Sequence, residues 1–264
     1  MANKGGTLLT RISNGVGHIA FSNPARRNAV TADMLEQLAD LIPAWEANAN
    51  VRVLALSGDG PVAFSAGLDI FGLADEAKRQ RVRDHFEGGP GSALRRLQLC
   101  SKPTIACIEG FCFGAGVSIS VLCDLRVASA SASFCIPAAR MGIGYSLFGV
   151  QTLVESVGTL AAREVLFSAH RYSAAEAQGI GLINRVFPAD HFQADAASYV
   201  ATIAGGAPLT IAAAKLAVRA VAPRPDPAGL DPVLAAIERA GNSEDFLEGQ
   251  RAFAEKRSPR FSGR

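Results

Sequence analysis

The sequence predicts an α/β fold, and three observations carry the prediction. Strand-like apolar runs alternate with helix-patterned segments over the first 200 residues. From about residue 189 onward the pattern becomes helical throughout. The 264-residue chain is 49% hydrophobic and 19% charged, enough for one large core without a disulfide or metal staple.

Residues 16–22 (VGHIAFS) read as a strand that Asn23-Pro24 ends. Thr31 is an N-cap for a helix carrying Met34, Leu35, Leu38, Leu41, Ile42 and Trp45 at helical spacing. Pro43, late in that run, is expected to bend or end it. Residues 51–56 (VRVLAL) form a buried strand closed by the turn Gly58-Asp59-Gly60. The window 72–92 is the most charged and ends in a glycine-proline break. It suits a solvated helix and loop, either a bare exposed face or a lid over a ligand.

Residues 104–109 are again strand-like, and a glycine-rich stretch at 110–116 leads into an apolar helix over 117–122. Two more strands are expected at 125–128 and 133–136, then helices at 147–157 and 160–168, a short helix capped by Ser173, and a strand at 182–186. Residues 207–221 are strongly helical, 222–232 (APRPDPAGLDP) form a proline-rich hinge, and a last helix runs from Ser243 to about Lys256. The expected division is a core over 1–200 and a helical region over 201–264.

Composition excludes several function classes. Lys+Arg number 26 against 24 Asp+Glu, so the net charge of +2 gives no basic face for nucleic acid. A small basic excess near one end can still hold a phosphorylated small molecule. The 5 cysteines include no CxxC pair, which suits free thiols in a reducing cytosol and a cytoplasmic chain. The 4 histidines are scattered without HxxxH spacing, so no metal is expected. The N-terminus is unlike a secretory signal, and no run of about 18 apolar residues predicts a membrane span.

Three glycine patterns bear on chemistry. Gly15-Val16-Gly17-His18-Ile19-Ala20 fits GxGxxA but precedes a strand, so the phosphate-cradling context is missing. Gly110-Phe111-Cys112-Phe113-Gly114 is a cysteine version of a nucleophile elbow between a strand and a helix. It would need a downstream acid and histidine, such as Asp190 with His191 or Asp124 with His170, and an HGGG-like segment that the sequence lacks. Gly114-Ala115-Gly116 opens an apolar helix, whose first N–H groups have no internal partner and carry the positive dipole end. A second exposed N–H can come from residues 63–70 (AFSAGLDI). Two such donors aimed at one oxygen form an oxyanion hole, worth about 3–4 kcal/mol per donor.

On five segments the chain resembles the crotonase (enoyl-CoA hydratase/isomerase) superfamily. They are NPARRNAV (23–30), FSAGLDI (64–70), SKPTIACIEGFCFGAGVSISVLCDLRVAS (101–129), AEAQGIGLINRVFP (175–188) and SEDFLEGQRAFAEKRSPRF (243–261), in the family's order. The resemblance implies a crotonase-like spiral of ββα units with a C-terminal helical trimerisation region, assembled as a homotrimer or a dimer of trimers. It implies an acyl-CoA substrate whose coenzyme A is part of the substrate, no permanently bound cofactor, and stabilisation of a thioester enolate. The oxyanion donors map to the N–H groups of Leu68 and Ala115. Leu68 is bulkier than the family's common alanine and would narrow the acyl entrance. The adenine and phosphate contacts map to Arg26, the backbone of Ala66, Asp69 and Ile70, and the terminal Phe253 and Lys256, with Lys256 reaching a neighbouring subunit's ligand.

The two glutamates of the hydratase pattern map to Ser118 and Ala138, so both carboxylates are missing. A positioned acid–base group contributes roughly 10²–10⁴-fold, so standard hydration is not expected from this pattern. Ser146 falls near the aspartate of some dienoyl isomerases and does not supply one. Tyr145, His85 and Glu87 are the substitutes the sequence offers, with Cys112 and Cys135 as more remote ones. Three readings result: an acyl-CoA enzyme with non-standard acid–base groups, a non-catalytic acyl-CoA binder, and a Cys112 hydrolase. Among enzymes, hydration, isomerisation, hydrolysis, decarboxylation and carbon–carbon cleavage all remain open.

Overall fold

A computed structural model of the chain describes residues 5–69, 76–221 and 241–260. It opens with a hairpin, β1 (Thr7–Ser13) against β2 (Val16–Ser22), in antiparallel register from Thr7 opposite Ser22 to Ser13 opposite Val16. The two turn residues, Asn14 and Gly15, have φ of 51° and 79°, as a tight hairpin matching strand twist requires. The sequence reading misses β1, because only Leu8 of this edge strand is buried. The Asn-Gly pair is the signal that could have found it.

The rest of the core is a spiral. Each turn lays one strand in a large sheet and the next in a small one. β3 (Val53–Gly58), β5 (Thr104–Ile108) and β7 (Leu125–Ser129) join the large sheet, and β10 (Arg185–Phe187) closes it in the order β1-β2-β3-β5-β7-β10. β4 (Ala63–Ser65), β6 (Phe111–Phe113), β8 (Ser133–Cys135) and β9 (Tyr172–Ser173) make the small sheet in that order. Most neighbouring strands of the spiral pair in parallel, as crossover helices demand, while β8 and β9 pair antiparallel. Those helices are α1 (Ala32–Ala47), α2 (Glu76–Phe86), α3 (Ala93–Leu99), α4 (Ala115–Leu122), α5 (Ala138–Met141), α6 (Leu147–Ser168) and α7 (Ala174–Gly179). α6 is broken at Gly158, as the two expected helices at 147–157 and 160–168 imply.

Period-2 alternation assigns the faces of the large sheet. Leu54 and Leu56 of β3 point into the main core with α1. Val53 and Ala55 point the other way, onto Phe192, Ala196, Val200 and Ala204 of α8 (Phe192–Gly205), an i, i+4 stripe. α9 (Pro208–Val221) is tied back by Lys215, whose Nζ lies 2.6 Å from Asp124 Oδ2 and donates to Lys102 O at 2.8 Å. Asp124 also accepts from Thr104, so it is a structural carboxylate. α10 (Glu244–Ala254) starts at the Ser243 cap and docks on α5.

Two sequence expectations need correction. Pro43 does not end α1, which continues to Ala47. Proline has no N–H for the Ala39 carbonyl four residues earlier, and the Arg96 guanidinium of α3 donates to that carbonyl instead. The strand expected at 182–186 is only Arg185–Phe187. Leu182 and Ile183 are buried in the preceding turn, where the Leu182 carbonyl accepts from Arg126. An apolar run alone does not separate these cases. The proline-rich segment 222–232 and Ile70 lie outside the described residues.

Among the described residues no single helix is long and apolar enough to cross a membrane. None of their His, Cys, Asp and Glu side chains gather in a group of three or more that could hold a metal.

Candidate active site

Two turns from different parts of the spiral meet at one point. The first follows β4. Ser65, fully buried, accepts the Gly67 N–H on its hydroxyl at 3.2 Å. Val30 N–H then donates to Gly67 O at 2.7 Å, and Asp69 N–H donates to Val30 O at 2.9 Å. This bridge consumes the groups on either side of Leu68, and among the described residues the Leu68 N–H has no internal acceptor. The second turn follows β6. Gly114 donates to Cys135 O at 2.8 Å and its own carbonyl accepts from Ser118 N–H at 3.1 Å. Ala115, the first residue of α4, therefore presents an N–H that the helix cannot use.

A glycine with positive φ precedes each of these amides: Gly67 at 110° and Gly114 at 48°. The left-handed backbone at both positions turns the following N–H out of the local pattern, at no steric cost for glycine. The turns touch. A Cβ placed on Gly67 would lie 3.8 Å from Ala115 N, and one on Gly114 would lie 3.8 Å from Gly67 Cα.

Beside this point, Ser118 on the second turn of α4 shares a short hydrogen bond with the Tyr145 hydroxyl. Ser118 Oγ also reaches Gly114 O at 3.3 Å. Burial pushes the Tyr145 phenol up to about 12, opposed by the Ser118 hydrogen bond and reinforced by Cys112. Among the described residues, no carboxylate and no imidazole is among the groups that act on it. Ala138, where the second glutamate of the hydratase pattern maps, is buried at the start of α5 and carries no proton-transfer group.

The other acid–base candidates are placed differently. His85 Nδ1 accepts the Ala93 N–H at 3.0 Å, which leaves the ring proton on Nε2. Its surroundings are Glu36, Asp84, Arg81 and Arg96, at the junction of α1, α2 and α3, and burial lowers its pKa. Glu87 is exposed just past α2. The neighbouring Phe86 carbonyl accepts from Ser146 Oγ at 3.0 Å, which fastens this segment to the start of α6 next to Tyr145. The charged helix α2 is itself held on α1, with Arg81 at 2.8 Å from Asp33 and 2.7 Å from Glu36.

Cys112 does not suit a nucleophile elbow. It sits inside β6, fully buried, with its sulfur 3.9 Å from Ser120 Oγ. Burial pushes its thiol up to about 12, away from the thiolate a nucleophile needs. Cys135 is buried too, with its sulfur on Ala169 O at 3.4 Å.

Of the residues expected at the nucleotide end, Arg26 and Asp69 form an ion pair at 2.7 Å. The Ala66 and Asp69 amides are already spent, on Arg27 O and Val30 O, both at 2.9 Å. Those two residues can offer a ligand other groups but not their N–H. Phe253 is exposed on α10 and Lys256 is exposed just beyond it.

A family model for enoyl-CoA hydratase/isomerase matches residues 11–264. The chain belongs to the enoyl-CoA hydratase/isomerase family. The 2,3-dehydroadipyl-CoA hydratase of Escherichia coli (strain K12) is 32% identical over 246 residues, covering 93% of this chain and 94% of its own. Among solved structures, an enoyl-CoA hydratase from Mycobacterium avium subsp. paratuberculosis K-10 superposes with TM-score 0.81 at 27% identity, over 97% of this chain and 98% of that one. A methylmalonyl-CoA decarboxylase in complex with 2-nitronate-propionyl-CoA superposes with TM-score 0.84 at 25% identity, over 98% and 99%. The spiral described above is the crotonase fold of these enzymes, and the chain is a family enzyme of that kind.

Proposed function

We propose that this enzyme binds acyl-CoA thioesters and stabilises a thioester enolate between the N–H groups of Leu68 and Ala115. The observation that carries the reading is the pair of amides without internal acceptors, each behind a glycine of positive φ, on two turns in contact. An enolate oxygen gains more from such fixed donors than a neutral carbonyl does, so the hole favours the intermediate over the substrate. Coenzyme A enters as part of the substrate, with Arg26 as a cation for its phosphates and Phe253 and Lys256 as further contacts. The hydratase glutamates are absent at Ser118 and Ala138, and Tyr145 is the protic group held against Ser118.

Self-association as a trimer or dimer of trimers belongs to the same proposal. Leu209 and Leu216, two turns apart on one face of α9, are 87% and 64% exposed, apolar surface of the kind a second copy covers.

The test is the carbonyl stretch of bound acetyl-CoA labelled with ¹³C at the thioester carbon, read by isotope-edited infrared spectroscopy beside a calorimetric Kd. Two N–H donors should lower the stretch relative to free acetyl-CoA, and Ala115→Pro should return it part of the way. Binding with an unshifted stretch removes the oxyanion hole, and no binding removes the acyl-CoA assignment.

A further inference from the structure

The relatives of this chain include both a hydratase and a decarboxylase, and the residues next to the hole discriminate between such routes. Hydration needs a base to activate water. Isomerisation needs a base to remove a proton from the acyl chain. Among the described residues, the protic groups paired beside the hole are two hydroxyls, Ser118 and Tyr145. Among the described residues, the side chains that act on the Tyr145 phenol are the Ser118 hydroxyl and the Cys112 thiol. With its pKa raised, the phenol holds its proton at neutral pH, so it can give a proton to a strongly basic carbon but cannot take one. Leu68, Ile143 and Tyr145 are half-buried and packed on the apolar main core. Among the described residues, therefore, none paired beside the hole is placed to take a proton from the acyl chain.

We propose that the site takes an α-carboxyacyl-CoA, a malonyl-type thioester, and decarboxylates it, with Tyr145 as the proton donor to the α-carbon and Ser118 as its positioning partner. The inference rests on the oxyanion hole proposed above. The bond between the α-carbon and the carboxylate carbon breaks. Its electron pair becomes the enolate, with the charge on the thioester oxygen held by the Leu68 and Ala115 N–H groups. Carbon dioxide leaves, the Tyr145 proton passes to the α-carbon, and solvent reprotonates Tyr145. One proton is consumed and no oxidant or reductant is needed. The apolar surroundings help, because a carboxylate taken out of water without a cationic partner is destabilised and carbon dioxide is not.

The experiment incubates the full-length protein in D₂O with malonyl-CoA, with methylmalonyl-CoA and, separately, with crotonyl-CoA. Products are followed by mass spectrometry and NMR. The expected result is acetyl-CoA and propionyl-CoA with one solvent deuterium at the α-carbon, placed on a single face of propionyl-CoA. Crotonyl-CoA should be hydrated at least 10²-fold more slowly. Tyr145→Phe should deliver deuterium to both faces, an outcome that a merely structural role would not produce. Three results overturn the inference. The first is bound acetyl-CoA with a lowered carbonyl stretch while both carboxyacyl thioesters stay intact, which leaves the oxyanion hole standing. The second is faster hydration of crotonyl-CoA than decarboxylation. The third is a Tyr145→Phe variant as face-selective as the parent. If acetyl-CoA does not bind at all, the oxyanion-hole reading fails and this inference fails with it.

Discussion

Arg96 donates to the carbonyl of Ala39, the one acceptor in α1 that Pro43 leaves without its helical N–H. The contact links α3 to α1 and lets a proline sit inside a 16-residue helix that packs the core. Arg96→Met should destabilise the fold by about 1–3 kcal/mol, the cost of leaving a sheltered carbonyl without a partner. Urea unfolding measures it. In a Pro43→Ala background, where position 43 regains the missing N–H, the same Arg96 substitution should cost clearly less.

The C-terminal helix is held by two glycines in reciprocal contact. A Cβ on Gly249 of α10 would lie 2.2 Å from Met141 O, and one on Gly142 would lie 2.4 Å from Asp245 O. Backbone meets backbone here, so neither side can yield. Gly249→Ala should lift α10 from α5 at about 1–3 kcal/mol, as for other overpacked sites. Hydrogen exchange should show faster amide exchange in 244–254 and at Ile143, whose N–H donates to Ala138 O. Unchanged protection would show that the helix adjusts without detaching.

The proposed oxyanion hole makes a kinetic prediction. Ala115 is the first residue of α4, a position that tolerates proline because its N–H is unused within the helix. Ala115→Pro removes one donor and little else. It should lower kcat about 10²–10³-fold with a small change in thermal midpoint. Gly67→Ala, which places a side chain at φ 110°, should lower kcat as well by turning the Leu68 N–H away. Full activity in both variants would mean that the reacting oxygen sits elsewhere.

Alkaline stability follows from the buried thiols and the phenol. Burial raises Cys100 from 9.0 to about 11, Cys112 from 9.0 to about 12 and Tyr145 from 10.0 to about 12. Each holds its proton more tightly folded than unfolded, so its contribution is complete below pH 9 for the thiols and below pH 10 for the phenol. That contribution is lost as pH rises through about 11 to 12. The urea midpoint should therefore fall across about pH 9–12, and Cys112→Ala should make the fall shallower. A flat midpoint over that range would show that these groups ionise as freely in the native protein as in the unfolded chain.

Features that depend on neighbours a few residues apart could be read in the sequence. Thr31, Ser173 and Ser243 each cap a helix through a side chain that accepts an N–H three residues on. That bond needs no tertiary partner. The apolar stripe of α1 and the apolar run of β3 are also local, because they are set by neighbours a few residues apart. The two turns could be placed, since Gly67 and Gly114 mark backbone turns wherever the chain carries them. Contacts across packed layers could not. Ser118 meets Tyr145 across 27 residues, and Arg96 meets Ala39 across 57. The backbone of Ala66 and Asp69 is expected to meet a ligand, and its N–H groups are spent on the Arg27 and Val30 carbonyls. Such hydrogen bonds form only after the spiral has stacked its turns, and their partners are chosen by how the layers meet rather than by spacing along the chain. The pairing of Ser118 with Tyr145 was decided at that level alone.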